Sequence, residues 1–373
     1  MPMTFKVCRQ MRRGILECVR SRVGLHIDLI DGRKPSAIDL SKYDGFMGHP
    51  DEVVNWRDVP MVVNDPDTGW ESPRVKSLMK KQGVMTCDTE AVGRLAADFL
   101  VGEGFENFAY VGELGDPAWS VKRGRAFAAR LREKGFSCDI YPVPRRGTES
   151  DARRLGRYLR KLPHPTAILA AYDGRAREVN DAARQVGLFV PGDIALLGVD
   201  NDDDLCEMMN PPLSSIELSA ENAAREAMKR LVQTILVPDR VGRIVFGPGR
   251  IVRRSSTQKL EKTDDPIVSA ALNYIVAHAT QEIGVEHVAK ACAVSRRMLE
   301  RRFAESLAKS VGSVIADARL DRVVILLTDS ERKIEEIAKI CGYSSAAYLS
   351  RVFHRRFGMT MQQYRKKKDG TRS

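Results

Sequence analysis

The sequence predicts a two-lobed α/β domain followed by an all-α domain built from two helix-turn-helix units. Three observations lead there. Apolar strand-like runs alternate with helical stretches over residues 1–250, one segment is duplicated within the last hundred residues, and positive charge concentrates toward the C-terminus.

A chain of 373 residues, 43% hydrophobic and 29% charged, has room for two or three domains with their own cores. Strand candidates run in order Leu25–Ile30, Gly45–Met47, Met61–Val63, Gly83–Thr86, Asn107–Val111, Asp139–Val143, Ala167–Ala170 and Ile194–Val199. Helical stretches at Thr89–Gly102, Val121–Lys134, Ser150–Leu162 and Ala176–Val186 lie between several of them, the pattern of βαβ units around parallel sheets. Ser214–Glu217 and Val245–Val252 read as strands flanking a helix at Ala220–Ile235, with the chain returning at Pro211-Pro212. The resulting domains are 1–254, a polar linker over 255–265, and 266–368. The linker opens with SSTQKLEK, which has no periodicity, and Asp265-Pro266 then starts a helix with Asp at the N-cap and Pro at the first helical position.

In the last hundred residues VEHVAKACAVS (Val285 to Ser295) reappears as IEEIAKICGYS (Ile334 to Ser344). Val288 pairs with Ile337, Ala289 with Ala338, Lys290 with Lys339 and Cys292 with Cys341. After one inserted residue the match resumes, with Leu299, Arg301 and Phe303 answering Leu349, Arg351 and Phe353. Each copy reads as a short amphipathic helix, a tight turn and a second helix opened by a serine, the layout that places one helix in the DNA major groove. Val294, Leu299 and Phe303 share a helical face that should pack on Val285, Val288 and Cys292. Between the copies Val311–Thr328 reads as one helix of ~27 Å, suited to hold two reading helices close to one DNA turn, ~34 Å, apart.

Charge agrees with a nucleic-acid partner. The net charge is +11; from Asp264 onward there are 19 lysines and arginines against 13 aspartates and glutamates, and 41 against 36 before it. In the first copy Ser295, Arg296, Arg297, Glu300 and Arg301 face outward near the helix start. An arginine there can grip guanine through two hydrogen bonds, and Glu300 can accept from cytosine or pair with an arginine. In the second copy Ser344, Ser345, Ala346, Ser350 and Arg351 form a smaller face, suited to backbone or thymine-methyl contact.

Ser295-Arg296-Arg297, Leu299, Arg301-Arg302-Phe303, Arg319-Leu320, Leu326-Leu327, Ile334, Ile337-Ala338, Gly342-Tyr343, Phe353, Phe357-Gly358 and Tyr364-Arg365 carry a resemblance to the AraC-type regulator domain. Leu349 departs from it, where an aromatic is usual, as does Met361 in place of proline before the closing Tyr-Arg; the second change loosens a helix start. Upstream, WSVKRGRAF (Trp119 to Phe127), AAYDGRAREV (Ala170 to Val179), LLGVDNDDDLCEMMNPPLSSIE (Leu196 to Glu217) and GPGRIVRRSST (Gly247 to Thr257) resemble the xylose operon regulatory protein group within the AraC family. The resemblance implies a periplasmic-binding-protein-like sugar sensor joined to the AraC-type tail, a homodimer on double-stranded operator DNA, and a cleft that closes on a pentose.

The residue types suit a sugar, whose hydroxyls need charged hydrogen-bonding groups and whose C–H face needs an aromatic plate. Asp88, Asp173 and Asp200 each directly follow a strand-like run, where α/β sheets place ligand contacts. Asn201, Arg123 and Trp119 complete the set, and the resemblance adds Arg9. Each has a plainer alternative: Asp88 and Asp200 as helix caps, Trp119 as lobe packing, Arg123 as a surface ion partner. Thr89 departs from the sugar regulators, which tend to have Asn after this Asp. Only MPMTFKVC precedes the helix RQMRRGI, so the family's apolar first strand is missing or reduced to Phe5–Cys8; a start further upstream or a degraded sensor is expected.

Other classes find little support. There is no P-loop, no GxGxxG after a strand, no GxSxG and no histidine placed with a nucleophile, so an enzyme is not expected. Seven scattered cysteines without CxxC and six dispersed histidines predict reduced thiols, no metal and no cofactor. No run approaches the ~20 apolar residues of a membrane span, and the N-terminus lacks a secretory signal, so a cytoplasmic location without membrane partners is expected. The expected function is a sequence-specific transcriptional regulator governed by a pentose such as xylose. The alternative is an AraC-type regulator whose sensor binds another small molecule or is degenerate.

Overall fold

The computed structural model describes residues 6–21, 24–28, 42–48, 60–64, 83–143, 150–237, 242–261, 263–329 and 332–369. Helix α1 (Lys6–Arg20) comes first, followed by the parallel strands β1 (Phe46–Gly48), β2 (Met61–Asn64) and β3 (Gly83–Cys87). Lys6, Val7 and Cys8 are helical, so the reduced first strand expected at Phe5–Cys8 is not one within the described residues. Leu25–Asp28 is likewise not a strand: no described strand lies beside it, and a ladder needs a partner. The rest of that expected strand, residues 29–30, lies outside the described residues.

Helix α2 (Thr89–Gly102) carries the chain into a second sheet. There β4 (Phe108–Val111), α3 (Ala118–Glu133), β5 (Asp139–Ile140), α4 (Asp151–Leu159), β6 (Thr166–Ala170), α5 (Asp173–Gln185), β7 (Ile194–Val199), α6 (Asp203–Met208) and β8 (Ser214–Leu218) follow in turn. Every residue of β6 and β7 is buried, as expected for unbroken apolar runs covered on both faces of a parallel sheet. The chain goes back to the first sheet after β8, through α7 (Ala220–Leu236); Pro211-Pro212 merely turns α6 into β8. Helix α7 packs on α1 closely enough that a Cβ at Gly14 would lie 2.1 Å from the Glu221 carbonyl oxygen.

The expected strand Val245–Val252 is two strands. β9 (Arg243–Phe246) pairs with β3 in the first sheet, whereas β10 (Pro248–Val252) runs antiparallel to β8 in the second. The sheets are thus ordered β1-β2-β3-β9 and β10-β8-β7-β6-β4-β5. Gly247, between the two, marks the third passage from lobe to lobe. There Asp88 N–H donates to Phe246 O (2.7 Å) and Ser219 N–H to Gly247 O (3.0 Å), so the crossing segments are tied side by side. Apolar patterning alone ran through this point because Val245-Phe246 and Ile251-Val252 stand on either side of it; the break is a change of partner.

The expected linker begins inside the sensor. Ser255–Thr257 form a buried 3-10 turn. Ser256 Oγ donates to Leu196 O (2.6 Å) and accepts from Ser214 N (2.8 Å), and the Thr257 and Ser214 hydroxyls meet at 2.7 Å. Their polarity suggested solvent, but the Ser256 and Thr257 hydroxyls have partners, which offsets the cost of burying them.

The C-terminal domain contains α8 (Pro266–His278), α9 (Val285–Ala291), α10 (Arg296–Leu307), α11 (Val311–Asp329), α12 (Ile334–Ile340), α13 (Ala346–Phe357) and α14 (Met361–Asp369). Asp265 caps α8 by accepting from Ile267 and Val268 N–H at 2.8 and 3.2 Å. Two separate cores form, one around Val288, Leu299 and Phe303, the other around Ile337, Leu349 and Phe353. The 19 residues of α11, about 28 Å long, begin in the first core and end in the second.

Candidate functional site

The cleft is built at the C-terminal end of β7, where Asp200 and Asn201 take positive φ values of 100° and 50°. Such backbone costs on the order of 1–3 kcal/mol per non-glycine residue and must be held. Asp200 N–H bonds Ile216 O (2.9 Å), Asn201 N–H bonds Ser215 Oγ (2.9 Å), and Asp202 N–H bonds Asp173 Oδ2 (2.6 Å). Asp173 also accepts the Ser215 hydroxyl on Oδ1 at 2.5 Å. It is therefore the buried brace of the β7–α6 loop, with its oxygens engaged inward, and does not present itself to a ligand as expected. Burial, and then the neighbouring Asp200, push its carboxyl pKa up to about 8.

Arg123, on α3, is buried at 4% exposure. Its Nε donates to Thr89 Oγ1 (3.1 Å), its Nη1 to Ala171 O, and its guanidinium lies 5.1 Å from the centre of the Trp119 ring. The surface ion pair weighed for it does not describe a side chain so enclosed. Trp119 meets Tyr172 edge-on at 6.4 Å. Burial pushes Asp200 up to about 6 against the opposing pull of Arg123. Burial likewise pushes the Cys87 thiol up to about 11, with Arg123 opposing and Asp200 and Asp88 adding to it. The charges of Arg123 and Asp200 thus both act on Cys87 at the end of β3.

Two candidates sit differently. Asp88 caps α2, its Oδ1 accepting Ala91 N–H at 2.9 Å, which is the plainer of its two readings. Arg9 makes an ion pair with Asp202 across the cleft (Nη2 to Oδ2 2.7 Å). Lys6 beside it pairs with Asp203 at 2.9 Å and bonds Asn201 O. Lys6, Tyr172, Asp202 and Ser215 were not anticipated. The run Asp202-Asp203-Asp204 was the available signal, since clustered carboxylates invite cations.

In the candidate nucleic-acid interface, Ser295 caps α10 by accepting Met298 N–H (3.2 Å) and Ser345 caps α13 by accepting Tyr348 N–H (3.1 Å). Ser344 therefore belongs to the turn, and the inserted residue lies before the cap. Arg297 and Arg301 are exposed, as are Ser344, Ser345, Ser350 and Arg351. Arg301 reaches Glu305 at 3.8 Å, and Arg351 lies 6.0 Å from the Tyr348 ring centre. Arg296 is also exposed but pairs with Glu286 of α9 at 2.5 Å. Glu300 points elsewhere: its Oε2 accepts Val311 N–H at 3.3 Å, at the start of α11. Ala346 is half-buried against the second core instead of outward. Tyr348 (48% exposed) on α13 and Met298 (39%) on α10 are exposed apolar residues that patterning did not single out.

The helix start at Met361 is not loose. Thr360 N–H donates to Gln363 Oε1 (2.8 Å) and Gln363 N–H to Thr360 Oγ1 (3.2 Å), a reciprocal capping box, and Met361 is buried in the second core.

Family models match on both halves: a periplasmic binding protein-like domain over residues 97–257 and a helix-turn-helix domain over 288–367. The xylose operon regulatory protein of Escherichia coli strain K12 is 30% identical over 286 residues, covering 74% of this chain and 72% of the relative. This chain belongs to the xylose operon regulatory protein family. The Haemophilus influenzae member is also 30% identical, over 285 residues, covering 74% of this chain and 73% of its own. The fold agrees with the solved structure of a xylose-binding transcription activator, at a TM-score of 0.73 and 24% identity over 98% of this chain and 96% of that one. As a member of the family the chain is a DNA-binding transcriptional regulator and not an enzyme.

Proposed function

We propose that this regulator senses a pentose, with xylose the first candidate, in the cleft lined by Trp119, Arg123, Asp200 and Asn201, and that it acts on its operator as a homodimer in the cytoplasm. The observation that carries the reading is the enclosed Arg123 guanidinium beside Trp119, whose charge acts on Asp200 in the strained Asp200-Asn201 turn. It combines a cation, a carboxylate and an aromatic plate, the donor and acceptor set that sugar hydroxyls and C–H faces require. Relatives named for the xylose operon support the choice of sugar, and the lack of a membrane-length apolar helix among the described residues accords with the location.

On DNA, α10 reads sequence through Arg297 and Arg301, with Arg296 approaching once it leaves Glu286. Helix α13, with Ser345, Ser350 and Arg351, clamps the second groove. The decisive experiment recovers the DNA this protein retains from a random pool. Affinity for that DNA is then measured with and without xylose, arabinose and ribose, alongside thermal shifts and sedimentation. Xylose should raise the melting temperature and change operator affinity, and affinity should fall steeply with salt as counterions are released. If no pentose moves either quantity, the sensor takes a different ligand or none.

A further inference from the structure

The sensing and DNA-binding halves share a carboxylate. We propose that Glu207, at the end of α6, couples the two by bridging the cleft to the helix that joins the two helix-turn-helix units. The proposal rests on the sugar-cleft reading above and assigns its route of regulation.

On the sensor side Arg254, 4% exposed, donates from Nε to Glu207 Oε1 at 2.7 Å. Its Nη1 reaches Asn201 Oδ1 at 2.9 Å and Leu213 O at 2.9 Å. Asn201, 2% exposed, belongs to the strained turn after β7, and its carbonyl holds Lys6 of α1. On the DNA side Glu207 Oε2 lies 3.5 Å from Nη2 of Arg322. Arg322, 5% exposed, lies on α11 just past the point where that helix leaves the first core for the second. An unbroken series of polar contacts therefore runs from α1 through Asn201, Arg254 and Glu207 to α11.

The series is poised, not over-determined. Arg322 has a second, long bond to Arg253 O (3.4 Å), and its Nε finds no acceptor among the described residues. Two enclosed guanidiniums face one carboxylate that is 49% exposed. Removing a partner from an enclosed charge is costly, so a shift of Glu207 must be answered by movement of Arg322 and hence of α11. A sugar hydroxyl that takes Asn201 Oδ1 as acceptor competes with Arg254 for that atom. Arg254 then leans on Glu207, and the Glu207–Arg322 contact changes. Other contacts between the halves, Gly192 N–H to Asn273 Oδ1 (2.8 Å) and Gln258 to Asp321 (3.1 Å), do not touch cleft residues and act as the docking pivot.

The test compares full-length wild type with Glu207→Gln, Arg322→Gln, the double variant, and the control Arg184→Gln. The control removes an exposed ion pair outside the series. For each, xylose affinity is measured by calorimetry, and affinity for the self-selected operator is measured with and without xylose. In wild type the ratio of the two operator affinities should fall within the ordinary range of coupling, on the order of 5- to 150-fold, and in each relay variant it should collapse to within about twofold of unity. Xylose should still bind the variants, the double variant should lose no more than either single one, and the control should keep the wild-type ratio. A relay variant that binds both ligands with the wild-type ratio overturns the proposal and leaves the sugar-sensor reading standing. A wild type on which neither xylose nor arabinose nor ribose has an effect overturns both. Should Glu207→Gln fold poorly, Arg322→Gln carries the same prediction from the other end.

Discussion

The Oδ2 atom of Asp173 lies 2.6 Å from the backbone nitrogen of Asp202, and through that bond a buried carboxyl on α5 holds the loop that carries Asp200 and Asn201. Its elevated pKa has a consequence for stability. Between the ordinary carboxylate value of 3.8 and about 8, folded Asp173 retains a proton that the unfolded chain has lost. Stability should therefore fall as pH rises through that window. Asp200, raised to about 6, adds to the lower part of the decline. Asp173→Asn keeps an oxygen for the Asp202 amide and should flatten the upper part. Melting temperature against pH for both proteins is the measurement, and parallel curves would refute titration of Asp173 there.

Arg123→Ala should weaken pentose binding by about 10- to 100-fold, since hydrogen bonds to a charged group are worth ~1.5–3 kcal/mol each. Operator affinity without sugar should stay as in wild type, because Arg123 faces the cleft and not α11. Calorimetry with xylose decides it; undiminished affinity would place the sugar elsewhere.

The repeat predicts two stabilising changes. Ala293 and Ala308 have φ of 53° and 52°, and their counterparts Gly342 and Gly358 have 70° and 67°. An L side chain pays roughly 1–2 kcal/mol in that region. Ala293→Gly and Ala308→Gly should each raise stability by about 1 kcal/mol, somewhat offset by the entropy of a freer unfolded chain. Urea unfolding of the whole chain, followed through its C-terminal transition, reads this.

Arg297 and Glu300 should behave oppositely. Arg297→Ala should cost ~1–3 kcal/mol on the preferred operator and relax preference at one base position. Glu300→Ala removes the acceptor for Val311 N–H, so it should cost ~0.5–2 kcal/mol of domain stability, as lost helix caps do, with base preference intact. Selection from random DNA separates them; a changed preference in Glu300→Ala would restore it to the reading face.

Gly192→Ala tests how the domains dock. A Cβ there would lie 2.3 Å from Nδ2 of Asn273, so that side chain must shift to admit it. Cleavage by a protease in residues 258–265 should accelerate in the variant, while xylose affinity remains. An unchanged cleavage rate would mean that Asn273 yields without releasing α8.

What the sequence determined by itself is local or repeated. The helix-turn-helix pairs were legible because Leu299, Phe303, Leu349 and Phe353 recur at helical spacing and because a serine can cap its own helix. The inner strands β6 and β7 were legible because a doubly covered strand is apolar at every residue. Tertiary structure decided which groups met. Whether Asp173 faces a ligand or braces a loop depends on Ser215 and Asp202, distant in sequence. Whether Glu300 reads a base or caps α11 depends on Val311 N–H coming within 3.3 Å. Val245–Val252 broke at Gly247 because its halves found partners in different sheets. Side-chain chemistry states what a residue can bond. Only the folded chain supplies the partner, because the free energy of a polar contact depends on distance and burial, which are properties of the pair.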